Sequence, residues 1–469
     1  MLPVVALVGR PNVGKSTLYN ALTRTRDAIV SDLPGVTRDR HYGLWEGEGG
    51  RFILVDTAGL SGDTDALAQH MSTQARLAIA EADLVLMLVD GRDGLLPDDI
   101  ELAQELRRAS KQMLLVVNKT DGLDPDVALA EFASLGVEPL PIAASHRRGV
   151  ADLEEQILEA LPAARVSDDP DAEDAEEQAD PRTRVAVVGR PNVGKSTLVN
   201  RLLGEERLLA YDQPGTTRDA IEVPIVWQER DYLLVDTAGL RRRARVDEAV
   251  EKFSAIKAMQ AIDRAHVVVF LIDAQQGFAD QDAHILGQII ESGRGLVIAL
   301  NKWDGLSTSD RSAVRRRLDH GLDFLSFAKR IPISAKHGSG LGELMKAVDT
   351  AAYHARREFS TRELTDAVTA AFEAYQPPLV RGRVAKLRFA HQGGRNPPRI
   401  VIHGNRLRTL PDAYKRYLEN QLRQRFKVIG TPLRLEFREG KNPFADKVNP
   451  LTERQIQRKR RLMRHVKRR

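Results

Sequence analysis

The sequence predicts an α/β chain in which two tandem, doubly wound domains with mostly parallel sheets precede a small α+β domain. Three observations carry this. The ten residues GRPNVGKSTL stand at Gly9–Leu18 and again at Gly189–Leu198, an offset of 180. Short unbroken apolar runs alternate with helical patterns and end at polar residues, as strands buried on both faces of a parallel sheet do. The charge then changes sign. Residues 1–350 hold 41 basic and 55 acidic side chains, a net of −14, whereas residues 351–469 hold 29 and 10, a net of +19.

The repeat extends well beyond the ten residues. The same offset relates Pro34-Gly35…Thr37-Arg38-Asp39 to Pro214-Gly215…Thr217-Arg218-Asp219, and Leu54–Leu60 (LVDTAGL) to Leu234–Leu240. Asn118–Asp121 and Asn301–Asp304 are offset by 183, so about three residues were inserted between motifs. Two copies at this period are tandem domains, because solenoid repeats run about 20–50 residues. Strands are expected at Val4–Val8, Phe52–Val55, Leu84–Val89 and Leu114–Val117, with counterparts at Val185–Val188, Leu233–Val235, Val267–Ile272 and Leu296–Leu300. Helices are expected between them, for example over Ala66–Ala80 and Ala249–Ala261. Ligands of such sheets bind at the carboxyl ends of the strands. The expected domains are residues 1–164 and 183–353. The linker 165–182 between them includes Ser167–Asp180, with eight acidic residues. That segment reads as a self-repelling spacer or as a decoy for a basic surface.

A chain of 469 residues predicts about three domains. It has no cysteine, which excludes disulfides, thiolate metal sites, iron–sulfur clusters and thiol catalysis. The start, MLPVVALVGR, lacks a basic region before an apolar stretch and a small-residue cleavage site, so a cytoplasmic protein is expected. Apolar runs such as Leu84–Val89 reach six residues, against about 20 for a spanning helix, so no membrane partner is expected. A net of +19 in the last 119 residues suggests a polyanion, with RNA rather than DNA the expected one.

Gly9-Arg10-Pro11-Asn12-Val13-Gly14-Lys15-Ser16 follows a strand and opens a helix, the context a P-loop requires. Backbone amides close around phosphates, Lys15 reaches the β- and γ-phosphates, and the Ser16 hydroxyl binds Mg²⁺. Gly189-Arg190-Pro191-Asn192-Val193-Gly194-Lys195-Ser196 repeats the arrangement. In Asp56-Thr57-Ala58-Gly59-Leu60 the carboxylate can hold Mg²⁺ through water and the Gly59 amide can meet the γ-phosphate. Asp236-Thr237-Ala238-Gly239-Leu240 matches it. Thr37 and Thr217 lie in loops where a threonine hydroxyl can reach Mg²⁺ only when a γ-phosphate is present, ordering the loop. Asn118-Lys119-Thr120-Asp121 and Asn301-Lys302-Trp303-Asp304 select guanine, whose N1–H and N2–H₂ both donate to one carboxylate. Ser334-Ala335-Lys336 suits a backbone donor to guanine O6, whereas copy one has Ala143-Ala144-Ser145 there and lacks the leading serine.

Each copy resembles a translation-factor-class GTPase domain related to Era. Tandem copies followed by a basic region resemble the Der (EngA) family of double-GTPase ribosome assembly factors of bacteria. The resemblance covers essentially the whole chain. It implies GTP hydrolysis with Mg²⁺, release of GDP, a KH-like third domain, and binding of a monomer to rRNA of the large ribosomal subunit. Where Ras-type domains place a water-orienting glutamine, this chain has Leu60 and Leu240. In similar GTPases an asparagine at the position of Asn12 and Asn192 helps hold K⁺ beside the phosphates. The other reading is that each asparagine braces its loop. After the DTAGL motifs copy one is acidic and copy two reads Arg241-Arg242-Arg243-Ala244-Arg245, which suggests different partners for the two loops or a solvated basic loop.

In the last region, expected at residues 354–440 after a linker near Tyr353, Ser360-Thr361-Arg362-Glu363 is a capping-box pattern. Leu364, Val368, Ala371, Phe372 and Tyr375 follow at helical spacing. Strands are expected at Lys386–His391 and Arg399–His403 around a Gly393-Gly394 turn, then a helix from Pro411 and a strand at Leu433–Phe437. This order resembles a type II KH domain, but residues 351–469 lack a G-x-x-G loop, which favours structured RNA or protein docking over standard single-strand recognition. The tail 441–469 has 11 basic and 2 acidic residues and reads as a phosphate-binding or solubilising segment. Two other functions compete: a binding module using GTP only as a structural ligand, and a tRNA-modifying GTPase, whose C-terminal Cys motif this chain cannot carry.

Overall fold

A computed structural model of the chain describes residues 2–23, 42–47, 49–57, 78–124, 129–165, 180–204, 222–235, 254–322, 325–377 and 384–439. The expected Mg²⁺-sensing threonines Thr37 and Thr217, residues 58–60 and 236–240 of the DTAGL motifs, the basic loop 241–245, residues 166–179 of the acidic segment and the basic tail 441–469 lie outside the described residues.

The first sheet holds β1 (Val4–Val8), β2 (Tyr42–Gly47), β3 (Gly50–Asp56), β4 (Leu84–Asp90), β5 (Met113–Asn118) and β6 (Pro139–Pro141). Its order is β2-β3-β1-β4-β5-β6, with β2 antiparallel to β3 and the other pairs parallel. Val4, Ala6 and Val8 pack into one core cluster and Val5 and Leu7 into another. Burial on both faces is the reason the run is unbroken. Among the described residues this unit also holds helices α1 (Lys15–Thr23), α2 (Pro97–Arg108) and α3 (Val150–Ala160).

The second sheet repeats this with β7 (Thr183–Gly189), β8 (Val223–Trp227), β9 (Arg230–Val235), β10 (Val267–Asp273), β11 (Gly295–Asn301) and β12 (Lys329–Pro332), in the order β12-β11-β10-β7-β9-β8. Its helices are α4 (Lys195–Gly204), α5 (Ser254–Arg264), α6 (Asp280–Ser292), α7 (Thr308–Gly321) and α8 (Leu341–Ala355). Each predicted strand of the two copies is present. The edge strands were not anticipated: neither β2 and β8 nor the short β6 and β12 at the opposite edges. β2 is mostly half-buried and β8 alternates buried with exposed residues, so both lack the continuous apolar run of the central strands.

The third unit consists of α9 (Thr361–Ala374), β13 (Lys386–Gly394), β14 (Arg399–Asn405), α10 (Asp412–Phe426) and β15 (Arg434–Glu439). β13 is antiparallel and β15 parallel to the central β14. The capping box forms: the Glu363 amide donates to Ser360 Oγ at 3.2 Å and the Ser360 amide donates to Glu363 Oε2 at 3.1 Å. Two expectations are corrected. Gly393 and Gly394 end β13 at a bulge, with Gly394 paired to Arg399, so the turn is 395–398. The expected linker near Tyr353 is the last turn of α8, whose apolar stripe runs through Ala351 and Ala352 to Ala355.

The third unit is joined to the second by backbone. The Leu296 amide donates to Gly430 O at 2.7 Å, the Gly430 amide to Phe327 O at 2.8 Å and the Asn396 amide to Ala355 O at 2.9 Å. Gly430 has φ of 75°, and a Cβ there would strike Ala351 of α8, so glycine allows both the turn and the contact.

Helix α5 docks on the first unit. Ile256 and Met259, each 6% exposed, enter its core cluster. Gln260 Nε2 donates to Leu2 O at 3.1 Å, and Arg51 Nη2 pairs with Asp263 Oδ1 at 2.8 Å. Truncating a buried methionine costs about 2 kcal/mol or more. Met259→Ala should therefore loosen the first unit from α5 without unfolding either. Small-angle scattering should show a larger radius of gyration at unchanged far-UV circular dichroism; an unchanged radius would mean that this contact does not hold the two units together.

Candidate functional site

The two phosphate-type loops leave β1 and β7 and enter α1 and α4. Lys15 folds back over its own loop, and its Nζ donates to Gly9 O at 2.6 Å and Arg10 O at 2.7 Å. Lys195 makes the same bonds to Gly189 O at 2.7 Å and Arg190 O at 2.5 Å. Burial lowers the Lys15 pKa to about 8, against the opposing pull of the Asp56 carboxylate and with a further push from Arg10. The loop thus holds a cation that a polyanion would stabilise.

Ser16 Oγ donates to Asp56 Oδ2 at 2.8 Å. Two hard oxygen donors side by side, one anionic, suit Mg²⁺. Thr57 turns inward, its hydroxyl donating to Leu7 O at 2.7 Å. Asn12 and Asn192 are exposed and have φ of 66° and 61°, a left-handed conformation that asparagine tolerates better than most residues. Pro11 and Pro191 are also exposed, whereas Val13 and Val193 are buried beneath the loops.

Asn118 ends β5 and reaches across to the phosphate loop. Its Nδ2 donates to Val13 O at 2.8 Å, and its Oδ1 accepts from the Ala144 amide at 3.1 Å. Asn301 makes the same pair, to Val193 O at 2.8 Å and from the Ala335 amide at 2.9 Å. Copy one needs no leading serine for this brace, because the donor is a backbone amide. Gly14 and Gly194 lie beneath these side chains with φ of 100° and 102°, and a Cβ on either would collide with the asparagine amide.

Lys119 Nζ pairs with Asp90 Oδ2 and Lys302 Nζ with Asp273 Oδ2, each at 2.6 Å, which lays both lysines along the ends of β4 and β10. Burial raises the Asp90 pKa, but the Lys119 bond and neighbouring amides outweigh it and hold the carboxyl below its usual range. Lys302 Nζ also donates to Asn192 O at 3.1 Å. Asp121 pairs with Arg92 Nη2 at 2.5 Å. Asp304 lies 3.5 Å from His337 Nε2, and its pKa is lowered chiefly by the Ser334 hydroxyl. Thr120 Oγ1 donates to Ile142 O at 2.9 Å, and the Arg315 guanidinium lies 5.4 Å from the Trp303 ring centroid. The Lys336 carbonyl accepts from Arg201 at 2.5 Å.

The structure adds residues not singled out beforehand. Arg10 Nε pairs with Asp99 Oδ1 and Arg190 Nε with Asp282 Oδ2, both at 2.9 Å, and both carboxylates are fully buried. These pairs pin the phosphate loops to α2 and α6. Burial pushes Asp282 up despite Arg190. Asp99/Asp282 and Asp90/Asp273 are both offset by 183, the offset of the Asn-Lys-x-Asp motifs, so the repeat contained the signal. Among the described residues no group of three or more His, Cys, Asp or Glu is arranged to hold a metal, and no helix is long and apolar enough to cross a membrane.

The sequence profile of a family described as 50S ribosome-binding GTPase matches residues 4–119 and again 184–302. A profile described as the KH-domain-like C-terminal region of EngA bacterial GTPase enzymes matches residues 358–438. GTPase Der of Salmonella paratyphi C (strain RKS4594) is 53% identical over 487 aligned positions, covering 100% of this chain and 99% of the relative. GTPase Der of Salmonella typhi matches equally. Among solved structures, Era of Aquifex aeolicus bound to GDP and AlF4⁻ aligns at 23% identity and a TM-score of 0.28, over 55% of this chain and 92% of that one.

Lys15 has a pH signature. Its folded pKa lies below the unfolded value of 10.5, so between about pH 8 and 10.5 the unfolded chain binds more protons and stability rises with pH. A polyphosphate beside the ammonium restores the charge, so binding near pH 8.5 should take up a proton at the first site. Calorimetry in buffers of different ionisation enthalpy should show this uptake, and it should be smaller in Lys15→Met. Identical uptake in both proteins would remove Lys15 from the phosphate contact.

Asn118→Ala removes two buried bonds, each worth about 0.5–1.5 kcal/mol. It should lower the melting temperature of the first unit and weaken nucleotide binding there, with the second site unchanged. Separate nucleotide titrations of Asn118→Ala and Asn301→Ala check the independence.

Proposed function

Because the chain belongs to the Der family of GTPases, with 53% identity to a member across its whole length, we propose that it is a GTP-gated switch in biogenesis of the large (50S) ribosomal subunit. The observation that carries the reading is the duplicated brace, in which Asn118 and Asn301 tie the phosphate loop to the base-reading loop in each copy. On this reading residues 1–164 and 183–353 are the GTPase domains joined by the linker 165–182, residues 354–440 are the KH-like domain and 441–469 is a basic tail. The protein acts as a monomer in the cytoplasm and binds rRNA of the large subunit.

In each hydrolytic cycle water attacks the γ-phosphate and GDP leaves. The backbone N–H groups of residues 12–16 and 192–196 cradle the phosphates, with Lys15 and Lys195 drawn from their carbonyl partners onto the β- and γ-oxygens. Ser16 with Asp56, and Ser196 with Asp236, would hold Mg²⁺, which would supply charge neutralisation at the phosphate oxygens. Thr37 with Gly59, and Thr217 with Gly239, sense the γ-phosphate. Asp121 and Asp304 accept from guanine, Lys119 and Lys302 line the base plane, and the Ala144 and Ala335 segments face O6. With leucine at 60 and 240, no side chain there orients water, and turnover is slow, on the order of 10⁻⁴–10⁻² s⁻¹. Asn12 and Asn192 would help hold K⁺, which would supply the missing charge.

Asp121→Asn and Asp304→Asn should each shift their own site from guanosine toward xanthosine triphosphate, since the new amide donates to the 2-oxo group. Guanine selectivity that survives in both variants would falsify the base-reading assignment.

The K⁺ reading and the loop-conformation reading of the asparagines separate cleanly. Asn12→Gly with Asn192→Gly keeps the left-handed backbone but removes the side chain. Wild type should hydrolyse GTP faster in K⁺ than in Na⁺ and the double variant should not. Equal wild-type rates in both salts would sink the K⁺ role.

Ribosome binding should combine salt-dependent attraction by the +19 region with nucleotide gating. Deleting residues 450–469 should lower affinity and flatten its salt slope yet keep the GTP preference. Lys15→Ala or Lys195→Ala should do the reverse. Sedimentation with large subunits in a GTP analogue or GDP, across a salt series, reads both; equal binding in both nucleotides at every salt would remove the gate.

A further inference from the structure

The three-stranded sheet of the last unit has two unlike faces. Ala390, Ile400 and Ile402 point into the core beneath α9 and α10, with Leu435 and Phe437 packed beside them. The opposite face carries a row in strand register: Phe389 pairs with His403, and His403 with Arg438. The Phe389 and His403 rings stack with centroids 4.4 Å apart and planes 8° apart. His391 joins the stack, 5.1 Å from His403 and 5.9 Å from Phe389, at 22° and 27°. Phe389 is 42% exposed. Val401, on the same face, is buried, so the exposed part of the face is the stack itself, with the Phe389 ring partly open to solvent beside two imidazoles rather than packed in the core.

The surroundings select the occupant. Arg438, in the same row, is exposed and pairs with Glu436 Oε1 at 2.6 Å, so it can turn toward a phosphate at small cost. Residues 351–469 carry a net charge of +19, which draws a polyanion rather than an apolar or acidic-poor partner. Burial, with help from the His391 and Arg438 charges, lowers the His403 pKa, which favours the uncharged imidazole in its stack on Phe389. An exposed aromatic ring beside a cation on a sheet is the arrangement that stacks unpaired bases. The same region has no G-x-x-G loop, so single-stranded RNA would have to be held elsewhere than in the usual KH cleft.

We propose that the outer face of this sheet, centred on Phe389 and His403 with Arg438 beside them, is a stacking platform for one or two unpaired bases of single-stranded RNA. The proposal rests on the reading that the C-terminal region contacts rRNA, and it names where and how. Stacking is tolerant of sequence, so the platform would read strandedness rather than a base code.

The test uses the full chain and a short single-stranded oligoribonucleotide, with the same strand in a perfect duplex as comparison. Phe389→Leu keeps an apolar side chain and removes the ring; Phe389→Tyr keeps the ring. Phe389→Leu should bind the single strand roughly tenfold more weakly, as removal of one base–aromatic stack does. Its duplex binding and salt slope should match wild type, and Phe389→Tyr should bind the single strand normally. Arg438→Gln should instead flatten the salt slope by about one and affect both RNAs. A 5-iodouridine strand should cross-link within residues 386–394 of the wild type, a readout that does not depend on a variant folding. Single-strand affinity of folded Phe389→Leu within twofold of wild type, or cross-links confined to other segments, would overturn the platform while leaving ribosome binding to be judged by sedimentation. A loss of large-subunit docking with unchanged naked-RNA binding would make this face a protein-docking surface and also overturn it. Failure of the wild type to bind single-stranded RNA at all would refute the platform; failure to sediment with large subunits would refute the underlying reading separately.

Discussion

A carboxamide at the end of a buried strand can donate in one direction and accept from another, and in each copy one asparagine uses both. Asn118 and Asn301 hold the phosphate loop with the amide nitrogen and the loop after β6 or β12 with the carbonyl oxygen. Three chain segments far apart in sequence are thereby fixed at hydrogen-bond distance. The requirement spreads outward. The glycine beneath each amide can have no Cβ, the neighbouring lysine takes a positive φ and folds back on an aspartate, and the arginine of the phosphate loop is anchored to a buried carboxylate. Such preorganisation matters in phosphoryl transfer, where the protein contributes positioning and charge rather than covalent chemistry.

The two copies share this frame but differ in what surrounds it. Asp83 of the first copy accepts the Val4 amide; its counterpart in the second is His266, which accepts the Arg184 amide at 3.0 Å and lies 2.6 Å from Arg356. Burial and the Arg356, Arg184 and Arg294 charges lower the His266 pKa to about 3, so it stays neutral and can accept. A carboxylate edge in one domain has become a neutral ring where the chain passes from α8 into the third unit. The second domain is thus the hub: α8 and Phe327 meet the third unit, and α5 meets the first. The described part of helix α5 starts at Ser254, 14 positions after Leu240 in the sequence.

The sheets and the nucleotide loops were legible because their signals are local or repeated. Unbroken apolar runs mark strands buried on both faces, and a motif that recurs at 180 or 183 positions states its own importance. The same offset would have pointed to Asp90, Asp99, Asp273 and Asp282, whose pairing with lysine or arginine is long-range and leaves no local pattern. The edge strands escaped notice because a half-exposed strand shows only weak alternation. The glycine pair of β13 suggested a turn, yet a bulge absorbs it, since strand pairing there continues to Gly394.

Composition, repeat and motif spacing by themselves determined that this chain has two α/β nucleotide domains and a basic third unit, because those properties depend on residue type and order alone. Only the tertiary structure decided which carboxylate pins which phosphate-loop arginine, that α8 runs unbroken toward the third unit, and that Phe389, His403 and Arg438 stand in one row. Each of these is set by strand register or by the docking of one element on another. Register is fixed by which face of every strand must be buried at once, a condition that no single stretch of sequence expresses.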